Sequence, residues 1–188
     1  MVSREVTRST ERLDIGPWSP DDASAGLSIF GTEGVTRWLA PAMEPVHDEN
    51  GMRDALDRWA NEDAEADPPV GHWAVRRRED DVLLGSIAVR RLPPFKEDLE
   101  LAWQFAPDHW GQGYATEAAR AVAGWAFENS AHELFAVVRP ANQRAEKLAR
   151  RLGFQWVGET DKYYDLRLQV FRLRPPELEG PILPPLQS

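Results

Sequence analysis

Gly111 and Gly113 flank Gln112 where an apolar run, Leu99 to Phe105, gives way through Pro107 to an Ala-rich stretch from Gly113 to Asn129. Without Cβ atoms at these two positions, backbone N–H groups can converge on a single anion. A helix opening directly after them adds the positive end of its dipole. The spacing predicts an anion cradle of a size suited to pyrophosphate, although the same glycines would also serve a plain strand-to-helix turn. It is not a dinucleotide fingerprint, because Ala115 and Glu117 supply no third glycine, and no Gly-Lys-Ser or Gly-Lys-Thr follows to make a Walker loop. Just upstream, Glu100 shares a strand face with Ala102 and Gln104, opposite Leu99, Leu101 and Trp103. It is therefore a candidate general base facing a cleft, with a solvated strand carboxylate as the alternative. Tyr163 and Tyr164 precede the last strand and must face opposite ways, so at most one, with Tyr164 as the candidate, can offer a proton at the cleft. His72 and His109 read as structural. Four His, no Cys and no H-x-x-x-H spacing predict no metal site.

The elements that must position these residues follow from patterning. Thr10 to Trp18 reads as an opening strand ended by Gly16-Pro17. Ser19 is a helix N-cap, with Pro20 at the first helical position and Asp21 and Asp22 at the positive end, and this helix should reach Phe30. A second helix from Thr32 carries Val35, Trp38 and Leu39 and stops before Pro41. Asn50 reads as the cap of a third, with Met52, Leu56 and Trp59 at helical spacing. Asn61 to Gly71 reads as an acidic loop. Strands are expected at 72–76, 82–90 (with a Gly inside it), 99–105, 134–138, 154–159 and 170–173, and a capped helix from Asn142 to Arg151 ends at Gly153. The order is strand, helices, three strands, helix, strand, helix, two strands. It implies an α/β fold with a mixed sheet and helices on both faces. Residues 1–9 read as a flexible N-terminus, 10–174 as a single domain, and 175–188 as a Pro-rich tail without regular structure.

Composition narrows the classes. The 188 residues suit one domain, and 42% hydrophobic with 28% charged residues is a globular balance. The absence of Cys excludes disulfides and an acylated cysteine. A net charge of −9 argues against nucleic acid as a partner and mildly favours a cationic substrate. No signal-length or membrane-length apolar run is present, so a cytoplasmic location and no membrane partner are expected.

The segment Trp110-Gly111-Gln112-Gly113-Tyr114-Ala115-Thr116-Glu117-Ala118 resembles the acetyl-CoA signature of RimJ/RimL-type acetyltransferases in the GNAT superfamily. Arg139-Pro140-Ala141-Asn142 and Leu152-Gly153-Phe154 match that family's second signature in order and distance. So do the opening Arg12-Leu13 strand and Val35 to Leu39, and the resemblance spans about residues 10 to 174. It implies a mostly antiparallel GNAT sheet and acetyl-CoA as cosubstrate. The amides of Gly111, Gln112, Gly113, Tyr114, Ala115 and Thr116 would hold the pyrophosphate. Trp103, Gln104 and Phe105 would pair with the pantetheine arm, with the Phe105 N–H at the acetyl oxygen, and Asn142 would lie beside that arm. Trp38, Pro41 and Trp59 would wall the acceptor cleft. The acceptor would be an amine, either a protein N-terminus or a small molecule such as an aminoglycoside or polyamine, and a homodimer through the C-terminal strands fits the fold. Three departures stand out: Trp110 where Arg or Gln is usual, Ala145 where the branch often has Ser, and Ala149 where relatives carry a Tyr acid. These losses leave an acyl-CoA-binding sensor as the alternative function.

Overall fold

Alternation along the strands divides most of the buried hydrophobic residues between two cores, with a third, smaller cluster at Leu92, Tyr163, Leu168 and Val170. On β3 (Gly71–Arg77), Trp73 and Val75 join one buried cluster and Ala74 the other. The computed structural model describes residues 8–39 and 42–178. Its other strands are β1 (Arg8–Ser9), β2 (Leu13–Pro17), β4 (Leu83–Arg91), β5 (Leu99–Phe105), β6 (Leu134–Val138), β7 (Gln155–Thr160) and β8 (Leu168–Leu173). They form one eight-stranded sheet in the order β1-β2-β3-β4-β5-β6-β8-β7. Neighbours are antiparallel throughout except β5 and β6, which run parallel.

Helices α1 (Ala23–Phe30), α2 (Glu33–Thr36) and α3 (Glu49–Glu65) cover one face. Helices α4 (Tyr114–Glu128) and α5 (Gln143–Leu152) cover the other, around Leu101, Leu134 and Phe171. Each large side chain so buried contributes about 1.5–3 kcal/mol, enough for the two cores to hold the sheet from both sides. Among the described residues, no helix is long and apolar enough to cross a membrane.

Several boundaries differ from the sequence expectations. Arg8 and Ser9, expected to fray, form β1 against Ile15 and Asp14, and Arg8 bonds Glu128 at 2.8 Å. Residues 1–7 lie outside the described residues. The cap of α3 is Asp48, not Asn50: its extended backbone lets its carboxylate accept from the Gly51 N–H at 2.8 Å. The expected loop from Asn61 begins as helix, because Asp63 accepts from the His72 N–H at 3.0 Å and meets its Nδ1 at 2.8 Å, anchoring an acidic last turn that propensity disfavours. Past Thr36, turns replace the expected helix at Arg37–Leu39, and Pro41 lies outside the described residues. Pro175–Leu178, expected to be irregular, is a short helix, α6. Its two prolines occupy the first turn, where missing N–H groups are not needed, and Glu177 accepts from the Arg174 N–H at 2.6 Å. Residues 179–188 lie outside the described residues.

Candidate active site

The parallel pair β5–β6 is where the sheet opens. Its register is recorded at one position, Glu100 opposite Phe135, and beyond it a cavity of about 350 Å³ separates Leu101–Phe105 from Ala136–Arg139. The Ala106 N–H donates to the Leu84 carbonyl at 3.0 Å across β4–β5. Antiparallel alternation then gives the peptide groups of Gln104 and Ala102 to β4 and turns those of Trp103 and Phe105 toward the gap. The indole Nε1 of Trp110 donates to the Phe105 carbonyl at 2.7 Å, so Phe105 is held from the gap side, the side to which strand alternation also turns its own N–H. An extended polar chain entering the gap would find strand-like partners there.

The cradle follows. Gly111 and Gly113 have φ of +76° and +84°, which a side chain would strain. Gly113 caps α4 without any side-chain hydrogen bond, so the first-turn N–H donors of Tyr114, Ala115 and Thr116 are uncapped. These are the donors that a phosphate at a helix N-terminus uses. The Glu117 carboxylate in the same turn does not repel an anion unopposed. It accepts from the Thr10 hydroxyl at 2.6 Å, the Arg12 N–H at 2.9 Å and Arg12 Nε at 2.7 Å. Although burial works against its charge, these bonds hold the Glu117 carboxyl below the usual range. Arg12 also donates to the Gln112 carbonyl at 3.0 Å, tying the loop to β2. The Tyr114 side chain is buried in the core under the Arg12 guanidinium, so only its amide belongs to the cradle. The residues present therefore fit a pyrophosphate-bearing thioester.

At the other end of the cavity Glu100 is 5% exposed, which removes the solvated-carboxylate reading. Arg90, directly opposite on β4, donates from Nε to Glu100 at 2.6 Å. Burial disfavours the Arg90 charge, but Glu100, then Tyr164, more than offsets this and raises its pKa. Tyr164 is the tyrosine that lines the cavity. Burial, then the Glu100 charge, pushes its phenol up to about 12. It stays protonated near neutrality. Full proton transfer to a thiolate, whose acid has a pKa of about 8.5, would be uphill.

Tyr163 faces away and donates to Asp98 at 2.6 Å, with Lys162 bonding the same carboxylate at 2.8 Å. This latch joins the β4–β5 and β7–β8 loops and sets the turn in which Tyr164 and Asp165 take φ of 56° and 52°. Burial opposes ionisation of Asp98, but the bonds from Lys162 and Tyr163 win and lower its pKa. A depressed carboxyl adds stability above its unfolded value of about 3.9, and that stability is lost as pH falls through the folded value. Asp98→Asn should therefore lower the thermal midpoint at pH 7 and show a smaller deficit against the parent at pH 3, read by circular dichroism melts. A deficit equal at both pH values would refute the charged latch.

Of the other anticipated residues, Trp38 and Asn142 line the cavity, and the Asn142 side chain caps α5 by accepting from the Ala145 N–H at 3.2 Å. Trp59 does not line it. It is buried in the α1–α3 core, stacked on His72 with ring centroids 5.3 Å apart, because its helical spacing with Met52 and Leu56 turns it inward. Position 149 is buried core rather than cavity wall. Sequence reasoning missed Arg90 and Arg144. Arg144 stacks over the Trp110 ring with its guanidinium carbon 3.6 Å from the centroid and lines the cavity. The signal was Trp110 itself: an aromatic where a cation is usual invites a guanidinium onto its face.

The family model described as the acetyltransferase (GNAT) domain matches residues 12–155. Among curated proteins, the uncharacterized N-acetyltransferase YoaA of Bacillus subtilis (strain 168) is 26% identical over 156 residues, covering 82% of this chain and 85% of that protein. Mycobacterium smegmatis RimJ, solved in complex with CoA-disulfide, superposes with a TM-score of 0.73 at 16% identity, over 89% of this chain and 84% of that one. The ribosomal-protein-S5-alanine acetyltransferase from Vibrio fischeri gives 0.70 at 16% identity, over 94% of this chain and 100% of that one. At those identities the structural likeness carries the fold alone.

Proposed function

Because the chain belongs to the GNAT acetyltransferase family, we propose that it moves acetyl from acetyl-CoA to the N-terminal amine of a protein or peptide, as RimJ/RimL-type enzymes do. The observation that carries this reading is the opened β5–β6 seam, with the Phe105 N–H on its wall and the Glu100 carboxylate at its closed end. The resemblance of the Trp110–Ala118 segment to the RimJ/RimL-type signature supports the choice of an N-terminus over a small molecule. The exposed Trp156 and Val157 on edge strand β7 support pairing of two copies through the C-terminal strands.

Acetyl-CoA supplies the activated carbonyl when bound. The uncapped amides of Tyr114 to Thr116 hold its pyrophosphate, and Arg144 provides the cation that Trp110 displaced. The amides of Trp103 and Phe105 hold the pantetheine arm beside Gln104 and Asn142. The Phe105 N–H donates to the carbonyl oxygen as negative charge develops there. Glu100, oriented by the Arg90 ion pair, receives the proton that the acceptor ammonium must lose before its amine attacks, directly or through a water. With Ala145 and Ala149 in place of hydroxyl residues and the Tyr164 phenol a weak acid, a thiolate leaving group would need no proton from the chain, which its acidity permits near neutral pH.

The test is thiol release from acetyl-CoA across peptides with Ser, Ala or Met N-termini, polyamines and aminoglycosides, with calorimetry of CoA binding alongside. Turnover confined to peptides is expected, and turnover confined to a small-molecule amine would overturn the N-terminal assignment. Arg144→Ala should weaken CoA binding by about tenfold, the loss of one desolvated cation–π and phosphate contact. Unchanged affinity would remove Arg144 from the cradle.

A further inference from the structure

The chain as a whole is acidic, with 31 Asp and Glu against 22 Lys and Arg. The cavity is the reverse. Arg37, Arg90, Arg139 and Arg144 line it, and Glu100 is its only carboxylate among the described lining residues. Such a concentration of one sign inside a low-dielectric cleft sets a strong local field against the sign of the surrounding surface.

One of these cations has an occupant in the proposed reaction. Arg144, stacked on the residue that opens the cradle, lies where the phosphates of CoA are expected, and Arg139, just past β6, has an interaction of its own within the chain. Arg90 and Arg37 are surplus to that need. Arg90 sits at the far end of the cavity against Glu100, and it uses only Nε in that bond. Its side chain is 25% exposed against 6% for Glu100, so the remaining guanidinium donors reach beyond the pair. Arg37 lies with its guanidinium carbon 4.6 Å from the centre of the Trp38 ring and ion-pairs with no carboxylate among the described residues. An aromatic-backed guanidinium is rigid, weakly hydrated and suited to a planar carboxylate.

We infer that the acceptor is an amine with a carboxylate nearby, an N-terminus followed by Asp or Glu, and that Arg37 and Arg90 read this acidic group while Glu100 takes the amine. This rests on the reading of the chain as a peptide N-acetyltransferase and narrows it. It also reverses the expectation drawn from net charge. A polyamine or aminoglycoside would bring several ammonium groups against four guanidinium groups with one carboxylate to receive them, and like charges at close range discriminate strongly.

The experiment compares matched peptides that share an N-terminal Ser and differ at the second and third residues, Asp-Glu against Lys-Lys, with spermine as a third acceptor. With full-length protein, kcat/KM should favour the acidic peptide over the basic one by about tenfold or more, with spermine poorest. Arg37→Glu, which alters an exposed turn rather than the core, should erase or invert that ratio through the KM for peptide while leaving the KM for acetyl-CoA unchanged. Equal use of the two peptides, preference for the basic one, or a ratio indifferent to Arg37→Glu would overturn the inference. Binding of the same peptides to CoA-loaded protein, by calorimetry, reads the order without turnover. Absence of transfer to any peptide then counts against the peptide-transfer reading, while the binding order still decides the charge preference.

Discussion

Glu100→Gln should lower kcat by about 10²-fold, the usual contribution of a positioned general base, while CoA affinity and the thermal midpoint stay near those of the parent. The substitution is chosen for what it keeps. The amide oxygen can still accept from Arg90 Nε, now 2.6 Å from the carboxylate, and the amide has the same shape in a site only 5% exposed. What it removes is the negative charge and the ability to take a proton. Glu100→Ala would confuse the result, because Arg90 would be left in the cavity without its partner and the fold itself would suffer. Single-turnover rates and CoA calorimetry on Glu100→Gln separate chemistry from binding. An unchanged kcat would make Glu100 an ion-pair residue that shapes the cavity, with the amine losing its proton to bulk water before it binds.

That Glu100 could be singled out from sequence, and Arg90 could not, shows where pattern reading stops. Strand alternation places Glu100 opposite Leu101 and Trp103 without any tertiary knowledge, and two glycines at a strand-to-helix junction announce the cradle. Likewise β5 and β6 have the bounds that their apolar runs predict, Leu99–Phe105 and Leu134–Val138. The residues that escaped notice owe their roles to contacts between elements far apart in the chain. Arg90 matters because the β4–β5 register sets it across from Glu100, and Arg144 because α5 carries it onto Trp110. Trp59 was misplaced for the converse reason: helical spacing says that a residue faces inward, but not whether the interior it faces is a core or a cleft. The boundary errors share that origin. The last turn of α3 is held by Asp63 binding His72, a contact nine residues away that no local propensity encodes. The cavity's charge was beyond net-charge arithmetic altogether, since a total of 31 acidic residues says nothing about four arginines lining one cavity.

Gly85→Ala is expected to damage stability and turnover together, and its position explains why. A Cβ at Gly85 would lie 2.6 Å from the Gln104 carbonyl and 2.6 Å from the Phe105 ring, closer than real contacts allow. The glycine inside the apolar β4 run, visible in the sequence, is thus where β5 and the Phe105 side chain press against the β4 backbone. Phe105 is 5% exposed and packed in the core beside α4, so the ring has little room to yield. The strain must move β5 away from β4 or tilt Phe105. Overpacking of this kind costs about 1–3 kcal/mol, which for a chain of this size lowers the thermal midpoint by roughly 2–10 °C. Either displacement also shifts the Phe105 peptide, whose N–H is the proposed donor to the acetyl oxygen, and a shift of about 1 Å in such a group can lower kcat/KM by about 10²-fold. Gly124→Ala on α4 is the control of opposite sign. A Cβ there meets only the Leu178 side chain, at 3.9 Å, so the gain in helix propensity should stabilise by about 0.5–1 kcal/mol without touching turnover. Melts and kcat/KM measured side by side on the two variants settle the matter. If Gly85→Ala melts early yet turns over like the parent, then the Phe105 N–H is held by the Trp110 bond on the gap side and not by its seat against β4.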